Sequence, residues 1–246
     1  MKLPSEPQAS NNAIRLAVFD LAGTTVFDGD AVGNSLRQAL RQGAGLEISR
    51  DEANTIMGTP KDQAIARILT AHGRNSTATD AHVLELLAQF ERIMLEHYRH
   101  APDVVELDSA SVVFETLLGR GIFVGIDTGF STPITEAVLE RMGWLKTGLV
   151  SAWTCSDKVK AGRPAPYMVY QLMERLGVID VATVAKVGDT PSDLNMGKNA
   201  RVGLNVGVLN GSHTRAQLEV HPHDVLLAGI SQLPEFIQHR HEARAI

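Results

Sequence analysis

Four short apolar runs, each about the length of a strand, constrain the fold of this chain more than any other feature. They read AIRLAVF, GIFVGI, VATVAKV and VGLNVGV, and they contain few polar residues. Runs of this kind are typical of strands that are buried on both faces of a parallel sheet. Helical patterns such as STPITEAVLERMG and APYMVYQLMERLG lie between the later runs, and each ends at a glycine. The alternation predicts an open α/β sheet.

A second pattern occupies the chain between Val26 and about Asp103. Four segments there have helical character: AVGNSLRQALRQG, SRDEANTIMG, PKDQAIARILTAHG and TDAHVLELLAQFERIMLEHYRH. In the last of them the apolar residues recur at helical spacing. We therefore predict a discontinuous α/β core domain over 13–27 and 104–246, a helical domain over 28–103, and a flexible tail over 1–12.

Composition excludes several classes of function. The formal net charge is −5 and the chain has no dense block of Lys and Arg, so nucleic acid is not an expected partner. No apolar run reaches the roughly 18 residues of a membrane span, and the polar start MKLPSEPQASNN lacks the apolar segment of a secretory signal. Cys155 is the only cysteine, which excludes an internal disulfide. We expect a cytoplasmic protein that binds neither nucleic acid nor membrane.

Four motifs place chemically useful side chains just after predicted strands or turns. Asp20 stands in FDLAGTT, Thr128 in GIDTG, Arg163 in AGRPAP, and the pair Asp189 and Asp193 in KVGDTPSD. Ligands of open α/β sheets bind beyond the carboxyl ends of the strands, so we expect these motifs to meet at one rim of the sheet.

The acidic residues of these motifs suit phosphoryl transfer. A carboxylate nucleophile such as Asp20 divides the transfer into two easier steps through an acyl phosphate. Asp189 and Asp193 are one helical turn apart and would form, with Asp20, a hard oxygen site suited to Mg²⁺.

The remaining motifs suit the binding of phosphoryl oxygens. Thr128 offers a hydroxyl, and the adjacent Gly129 lets the backbone amide approach closely. Arg163 offers a permanent charge and a planar fork for two oxygens. The predicted ligand is therefore a small phosphorylated metabolite.

The ordered set of motifs resembles the haloacid dehalogenase superfamily of hydrolases that form an aspartyl phosphate. The resemblance spans Asp20 to Asp193, and the layout of core and insert extends it to nearly the whole chain. It implies a Rossmann-like parallel sheet core with an inserted helical cap of the C1 type. It also implies that Asp20 is the nucleophile and a metal ligand, that Ala22 offers its backbone carbonyl to the metal, that Asp189 is the third protein ligand, and that Asp193 supports the metal site.

Ala22 distinguishes this chain from most of that superfamily. Its phosphatases and mutases carry there an Asp that protonates the leaving oxygen, a contribution of ~10²–10⁴-fold in rate that alanine cannot make. DLAGTT is similar to the DWAGTT signature of the phosphonatase branch, whose members cleave the carbon–phosphorus bond of phosphonoacetaldehyde. MGTPK is similar to that branch's MGLLK, which implies that Lys61 forms an imine with the substrate aldehyde. AGRP also matches that branch, which has Arg where most relatives have Lys.

Three positions depart from that branch, and they leave alternatives open. Ala64, Phe130 and Asp30 stand where the branch has His, Tyr and Cys. One alternative is a phosphatase for a small monoester of the phosphoglycolate type, in which Lys61 only holds the substrate. Another is a non-catalytic protein that binds a phosphometabolite. A phosphomutase is disfavoured, because it needs the missing acid in both directions. Members of the branch are often dimeric through the cap, so a homodimer is an expectation that only the resemblance supports.

Overall fold

The computed structural model of the chain describes residues 13–56, 59–75, 77 and 79–244. Two sequence predictions therefore fall outside the described residues: the tail over 1–12, and the first two residues of the MGTPK motif, Met57 and Gly58. Everything said below refers to the described part of the chain.

The strands form two sheets. Their bounds are β1 Leu16–Phe19, β2 Val26–Phe27, β3 Val105–Glu106, β4 Phe123–Thr128, β5 Ala152–Cys155, β6 Val184–Gly188, β7 Leu204–Val208 and β8 Val225–Leu227. Six of them lie in the order β5-β4-β1-β6-β7-β8, and every pairing between neighbours is parallel. The other two, β2 and β3, pair in antiparallel fashion. The parallel sheet predicted from the apolar runs is confirmed.

Helices connect these strands. Their bounds are α1 Ala31–Ala44, α2 Arg50–Asn54, α3 Lys61–Ala71, α4 Ala81–His100, α5 Ala110–Gly119, α6 Thr132–Met142, α7 Trp144–Thr147, α8 Tyr167–Leu176, α9 Pro191–Ala200, α10 Arg215–Leu218 and α11 Leu233–Arg244. The four helices α1 to α4 correspond to the four helical patterns predicted between β2 and β3. The elements α5, β5 and β8 are not among those that the sequence patterns predict.

β1 lies in the middle of the sheet, and all four of its side chains are fully buried. Leu16 and Val18 point to a core shared with α8 and α9. Ala17 and Phe19 point to the opposite face, where the Phe19 ring lies 5.2 Å from the ring of Phe114 on α5. Burial of a large apolar side chain stabilises a fold by about 1.5–3 kcal/mol, so β1 is anchored from both faces. Its carboxyl end, which leads into Asp20, is fixed accordingly.

The helix α1 packs against α2 and α4, α3 packs against α4, and α4 also packs against α6. α4 buries one face, formed by Val83, Leu86, Phe90, Met94 and Tyr98. Arg141 of α6 ties the end of α4 to the sheet region by donating to the backbone carbonyls of Tyr98, Ala101 and Val104 at 3.2, 2.6 and 3.2 Å. That the segment 28–103 is a domain of its own stays a prediction.

Membrane insertion has no support in the described helices. None of them is both long enough and apolar enough to cross a bilayer.

Candidate active site

A cavity of about 250 Å³ lies where β1 and β4 end and the segment 28–103 covers the sheet. Six of the residues predicted to form the site line it: Asp20, Ala22, Lys61, Thr128, Gly129 and Arg163. These residues come from four separate parts of the chain. The structure therefore brings these motifs together at one rim of the sheet, in a single, partly open cavity.

Asp189 and Asp193 adjoin this cavity through a cluster of carboxylates. One oxygen each of Asp20, Asp189 and Asp193 lies within 4.8 Å of the others. Asp20 is 4% exposed, and the other two have no exposed surface. Three acidic groups so close together repel one another strongly unless cations balance them.

The turn after β1 places Asp20 against Asp189. The backbone amide of Asp20 still donates to the carbonyl of Val187 on β6, at 3.0 Å, so the residue continues the sheet edge. The chain then turns at Gly23, whose φ of +81° favours glycine. A Cβ atom there would also lie 2.6 Å from Oδ2 of Asp189. Gly23 is thus needed both for the turn and for the space beside the carboxylate.

Neutral donors orient Asp189. Thr24 donates its hydroxyl to Oδ1 at 3.0 Å, and Ser212 donates both its amide and its hydroxyl to Oδ2 at 2.7 Å. The sequence analysis did not identify Thr24 or Ser212. Burial raises the pKa of Asp189, and these hydrogen bonds only partly oppose that effect.

Asp193 differs from Asp189 because cations surround it. Arg163 donates through Nη1 to Oδ1 of Asp193, and the Nζ atom of Lys186 lies 2.8 Å from the same oxygen. Thr190 donates its hydroxyl to Oδ2 at 2.6 Å, and together the two residues cap α9. Burial opposes ionisation of Asp193, but the charges of Arg163 and Lys186 hold its pKa below the usual value.

Lys186 is a further residue that the sequence analysis missed. It lies in β6 with no exposed surface, and its Nζ atom is 2.8 Å from Oδ1 of Asp127 as well as from Asp193. The one signal in the sequence was a lysine inside the apolar run VATVAKV. A lysine buried this deeply needs carboxylate partners, and Asp127 and Asp193 provide them here.

The carboxylates fit a divalent cation. Four buried Asp side chains, at positions 20, 127, 189 and 193, face two buried cations, Arg163 and Lys186. Burial raises the pKa of Asp20 to about 7, although Arg163 Nη2 donates to its Oδ1 at 2.8 Å. Carboxylate and carbonyl oxygens are the ligands that hard cations such as Mg²⁺ prefer. A metal at this point would remove the excess negative charge.

The residues predicted to bind phosphoryl oxygens lie on the sheet side of the cavity. Thr128 ends β4, and Gly129 lies next to Arg163: a Cβ atom at position 129 would be in van der Waals contact with Nη2, at 3.4 Å. The Nε atom of Arg163 is buried and has no hydrogen-bond partner among the described residues. A buried donor of this kind is costly unless a ligand accepts from it.

Lys61 reaches the cavity from the other side, as the first residue of α3. Its Nζ atom donates to the carbonyl of Thr59 at 3.2 Å. Burial and, to a smaller extent, the positive charge of Arg163 lower the pKa of Lys61 to about 8, although the charge of Asp20 opposes the change. The amine is therefore neutral far more often than a lysine in water.

The positions that depart from the phosphonatase pattern are occupied as follows. Ala64 is fully buried in α3 and offers only a methyl group. Phe130 lines the cavity with 7% of its surface exposed, and its ring lies 5.5 Å from that of Tyr98. Asp30 lines the cavity and forms an ion pair with Arg50 at 2.9 Å.

A further polar pair at the cavity was not predicted. Tyr98 of α4 donates its hydroxyl to Oδ2 of Asp28 at 2.6 Å. Asp28 lines the cavity, and Nε2 of His97 contacts its backbone carbonyl at 3.0 Å. No local sequence pattern predicts this pair, because Asp28 lies in the turn between β2 and α1 and Tyr98 lies in α4.

Comparison with known proteins shows to which family the chain belongs. A family model described as "Hydrolase: haloacid dehalogenase-like hydrolase" matches residues 14–201. The chain belongs to the haloacid dehalogenase-like hydrolases. This hydrolase is 31% identical over 218 residues to a phosphonoacetaldehyde hydrolase of Bacteroides fragilis, which covers 85% of this chain and 81% of that protein. It is 33% identical over 214 residues to one of Bacillus cereus, with 81% and 77% covered.

Solved structures support the fold of this hydrolase. A phosphonoacetaldehyde hydrolase-like protein from Oleispira antarctica matches with a TM-score of 0.73 and 22% identity, over 99% of this chain and 88% of that one. A predicted phosphoglycolate phosphatase from Haemophilus somnus matches with a TM-score of 0.76 and 18% identity, over 93% and 99%. At these identities the likeness concerns the fold alone.

Proposed function

We propose that this hydrolase depends on Mg²⁺ and cleaves the carbon–phosphorus bond of phosphonoacetaldehyde or a close analogue. The proposal is carried by one observation: Lys61 of α3 and Asp20 after β1 line the same cavity, whereas position 22 offers only a methyl group. The curated relatives that are 31% and 33% identical bear the name phosphonoacetaldehyde hydrolase, which supports the same reaction.

The metal would be held by Asp20, the backbone carbonyl of Ala22 and Asp189. Asp193 would support the site indirectly, because Arg163 and Lys186 already neutralise the charge of its carboxylate. When bound, a magnesium ion offsets the carboxylate charge and polarises the phosphoryl oxygens.

Lys61 prepares the substrate. Its neutral amine attacks the aldehyde carbon of phosphonoacetaldehyde, and loss of water gives an imine. With a pKa of about 8, about a tenth of the amine is neutral at pH 7, compared with less than ~0.1% for an ordinary lysine. Burial of Lys61 thus raises the reactive fraction by about two orders of magnitude.

Asp20 then performs the transfer. Its carboxylate attacks phosphorus, the carbon–phosphorus bond breaks, and the bonding electrons pass into the imine to give an enamine. Thr128, Gly129 and Arg163 hold the phosphoryl oxygens during this step. The enamine takes up a proton and water to release acetaldehyde from Lys61, and a second water hydrolyses the acyl phosphate. No leaving oxygen needs a proton, so Ala22 is compatible with this reaction.

A second candidate is the hydrolysis of a small phosphate monoester. It is favoured by Ala64 and Phe130, which leave no proton-transferring side chain at two positions where the phosphonatase branch has His and Tyr. In this reaction Lys61 would hold an anionic substrate as a cation, and a substrate group or water would have to protonate the leaving oxygen.

Product analysis distinguishes the two candidates. The enzyme is incubated with phosphonoacetaldehyde and Mg²⁺, and acetaldehyde and phosphate are measured together. We expect equal amounts of both products, and turnover well above that of a panel of small phosphate monoesters. Rapid ester hydrolysis without release of acetaldehyde would favour the second candidate.

A further inference from the structure

We propose that Asp28 determines substrate specificity by accepting a hydrogen bond from a hydroxyl or ammonium substituent on the organic part of the substrate. The inference rests on the proposed function only in that the cavity binds a small phosphonate or phosphate metabolite. It adds a third recognition point, next to the phosphoryl-binding residues and Lys61.

The position of Asp28 is the first argument. The residue lies on the turn between β2 and α1 and lines the same cavity as Asp20 and Lys61. It is 8% exposed and forms part of the cavity wall. A substrate seated between Asp20 and Lys61 therefore has this carboxylate as part of its wall.

The acceptor capacity of Asp28 is the second argument. An ionised carboxylate can accept about four hydrogen bonds, and here Tyr98 provides one, whereas the amide of Ala31 donates to the backbone carbonyl of Asp28. His97 contacts the backbone carbonyl of Asp28 rather than its carboxylate. Within the described part of the chain no Lys or Arg forms an ion pair with Asp28. A buried carboxylate with spare acceptor positions is costly, and a donor on a ligand removes part of that cost.

The rigidity of the pair is the third argument. Tyr98 has no exposed surface, and its ring packs 5.5 Å from that of Phe130 on the cavity wall. Its hydroxyl therefore holds Oδ2 of Asp28 in place beside the cavity. A fixed acceptor selects among ligands better than a mobile one, because little freedom is lost on binding.

The surrounding charges point to a donor rather than an anion. Asp30, which also lines the cavity, is paired with Arg50, whose side chain is 70% exposed. Arg50 therefore does not neutralise Asp28. The cavity is cationic near Arg163, where a phosphoryl group fits, and acidic near Asp28, where a hydroxyl or ammonium group fits.

Binding of three stable phosphonates tests this assignment without any turnover. Calorimetry on the Mg²⁺-loaded wild type compares ethylphosphonate, hydroxyethylphosphonate and aminoethylphosphonate. Hydrogen bonds to a charged group are worth about tenfold or more in affinity, so we expect the last two to bind at least about tenfold more tightly than the first. Equal affinity for all three would overturn the proposal.

Substitutions locate the effect. Asp28→Ala should bring the three affinities within about threefold of one another while leaving that for ethylphosphonate nearly unchanged. Asp28→Asn keeps an acceptor but removes the charge, so it should weaken binding of the ammonium compound more than of the hydroxyl compound. Because it also keeps an acceptor for Tyr98, it carries the test if Asp28→Ala does not fold.

Tyr98→Phe is the matched control. It removes the hydrogen bond to Asp28 but keeps the carboxylate in the cavity wall, so the preference among the three ligands should survive. If Asp28 serves only to tie the turn to α4, the changes at positions 28 and 98 should weaken all three ligands equally, and the proposal is wrong. Failure of phosphonoacetaldehyde cleavage would count against the proposed function but would leave these affinity ratios unaffected.

Discussion

The Nζ atom of Lys186 lies 2.8 Å from Oδ1 of Asp193, and neither side chain has any exposed surface. Arg163 donates to the same oxygen. Asp189, in contrast, is oriented by the neutral donors Thr24 and Ser212. The two acidic residues of the KVGDTPSD motif therefore have different surroundings, although they are only one helical turn apart.

This difference predicts unequal effects on metal binding. Asp189→Ala should weaken Mg²⁺ binding more than Asp193→Ala, because Asp189 has no positively charged partner to displace. EDTA should abolish activity, and added Mg²⁺ should restore it. Titration of Mg²⁺ against activity and calorimetry check both statements. Full activity in excess chelator would contradict the metal site altogether.

The buried pairs predict a cost to stability when Lys186 is removed. Lys186→Met keeps the length of the side chain but leaves the charge of Asp127 unpaired in the interior. Breaking a buried ion pair in this way typically costs about 3–5 kcal/mol. Chemical denaturation should show the loss. The double variant with Asp127→Leu should regain part of it, whereas a surface control such as Lys146→Met should change stability little.

Asp20 is predicted to be the nucleophile. Asp20→Asn should reduce turnover by about 10⁴-fold or more while the fold stays intact, because the amide cannot form an acyl phosphate. Thermal melting serves as the check on folding. Beryllium fluoride should inhibit the wild type by mimicking the phosphorylated side chain. Substantial activity in the Asp20→Asn variant would rule out this mechanism.

Lys61 distinguishes the two candidate reactions. Borohydride added during turnover of phosphonoacetaldehyde should reduce the imine and leave a covalent adduct on Lys61, detectable by mass spectrometry. Lys61→Arg should abolish carbon–phosphorus cleavage, because a guanidinium keeps its charge and does not condense with an aldehyde. Ester hydrolysis should suffer far less. Cleavage that survives in Lys61→Arg would exclude the imine.

Ala22→Asp gives the complementary test. If the natural reaction is ester hydrolysis, the restored acid should raise its rate by up to the ~10²–10⁴-fold that such groups contribute. If it is carbon–phosphorus cleavage, a further carboxylate beside Asp20 and the anionic substrate should give no benefit and should reduce the rate. Rates on both substrate types are compared in the wild type and the variant.

The pKa of Lys61 predicts a pH dependence. Imine formation needs the neutral amine, and burial lowers the pKa to about 8. Below that value the rate of carbon–phosphorus cleavage should rise about tenfold per pH unit, and above it the rate should level off. Saturating Mg²⁺ is used so that Asp20 stays ionised. Trapping by borohydride should follow the same curve, and a flat profile between about pH 6 and pH 8 would contradict the role of Lys61.

The sheet could be predicted from sequence because strands buried on both faces tolerate few polar residues. β1, β4, β6 and β7 all show this, and the family resemblance that their motifs suggest is confirmed. β5 and β8 escaped prediction because they are short and only half-buried, so their residues form no distinct apolar run.

Residues of the site could be predicted from the sequence where a single short motif contains the reactive or ligand-binding side chain. The structure brings Asp20, Lys61, Thr128 and Arg163 into one cavity, although their roles stay predictions. The pairs of Lys186 with Asp127 and of Asp28 with Tyr98 could not be read from the sequence. Each joins residues that are distant along the chain, and only the tertiary fold determines that they meet.

The central place of β1 has a consequence for how the enzyme is made. β1 pairs with β4 and β6, which leave the ribosome on the order of a hundred residues or more after it. A nascent chain that ends just before β6 contains Asp20 and Arg163 but lacks Lys186, Asp189 and Asp193. Synthesis must therefore pass Asp193 before the proposed metal site can form, and a shorter product carries Asp20 without that site.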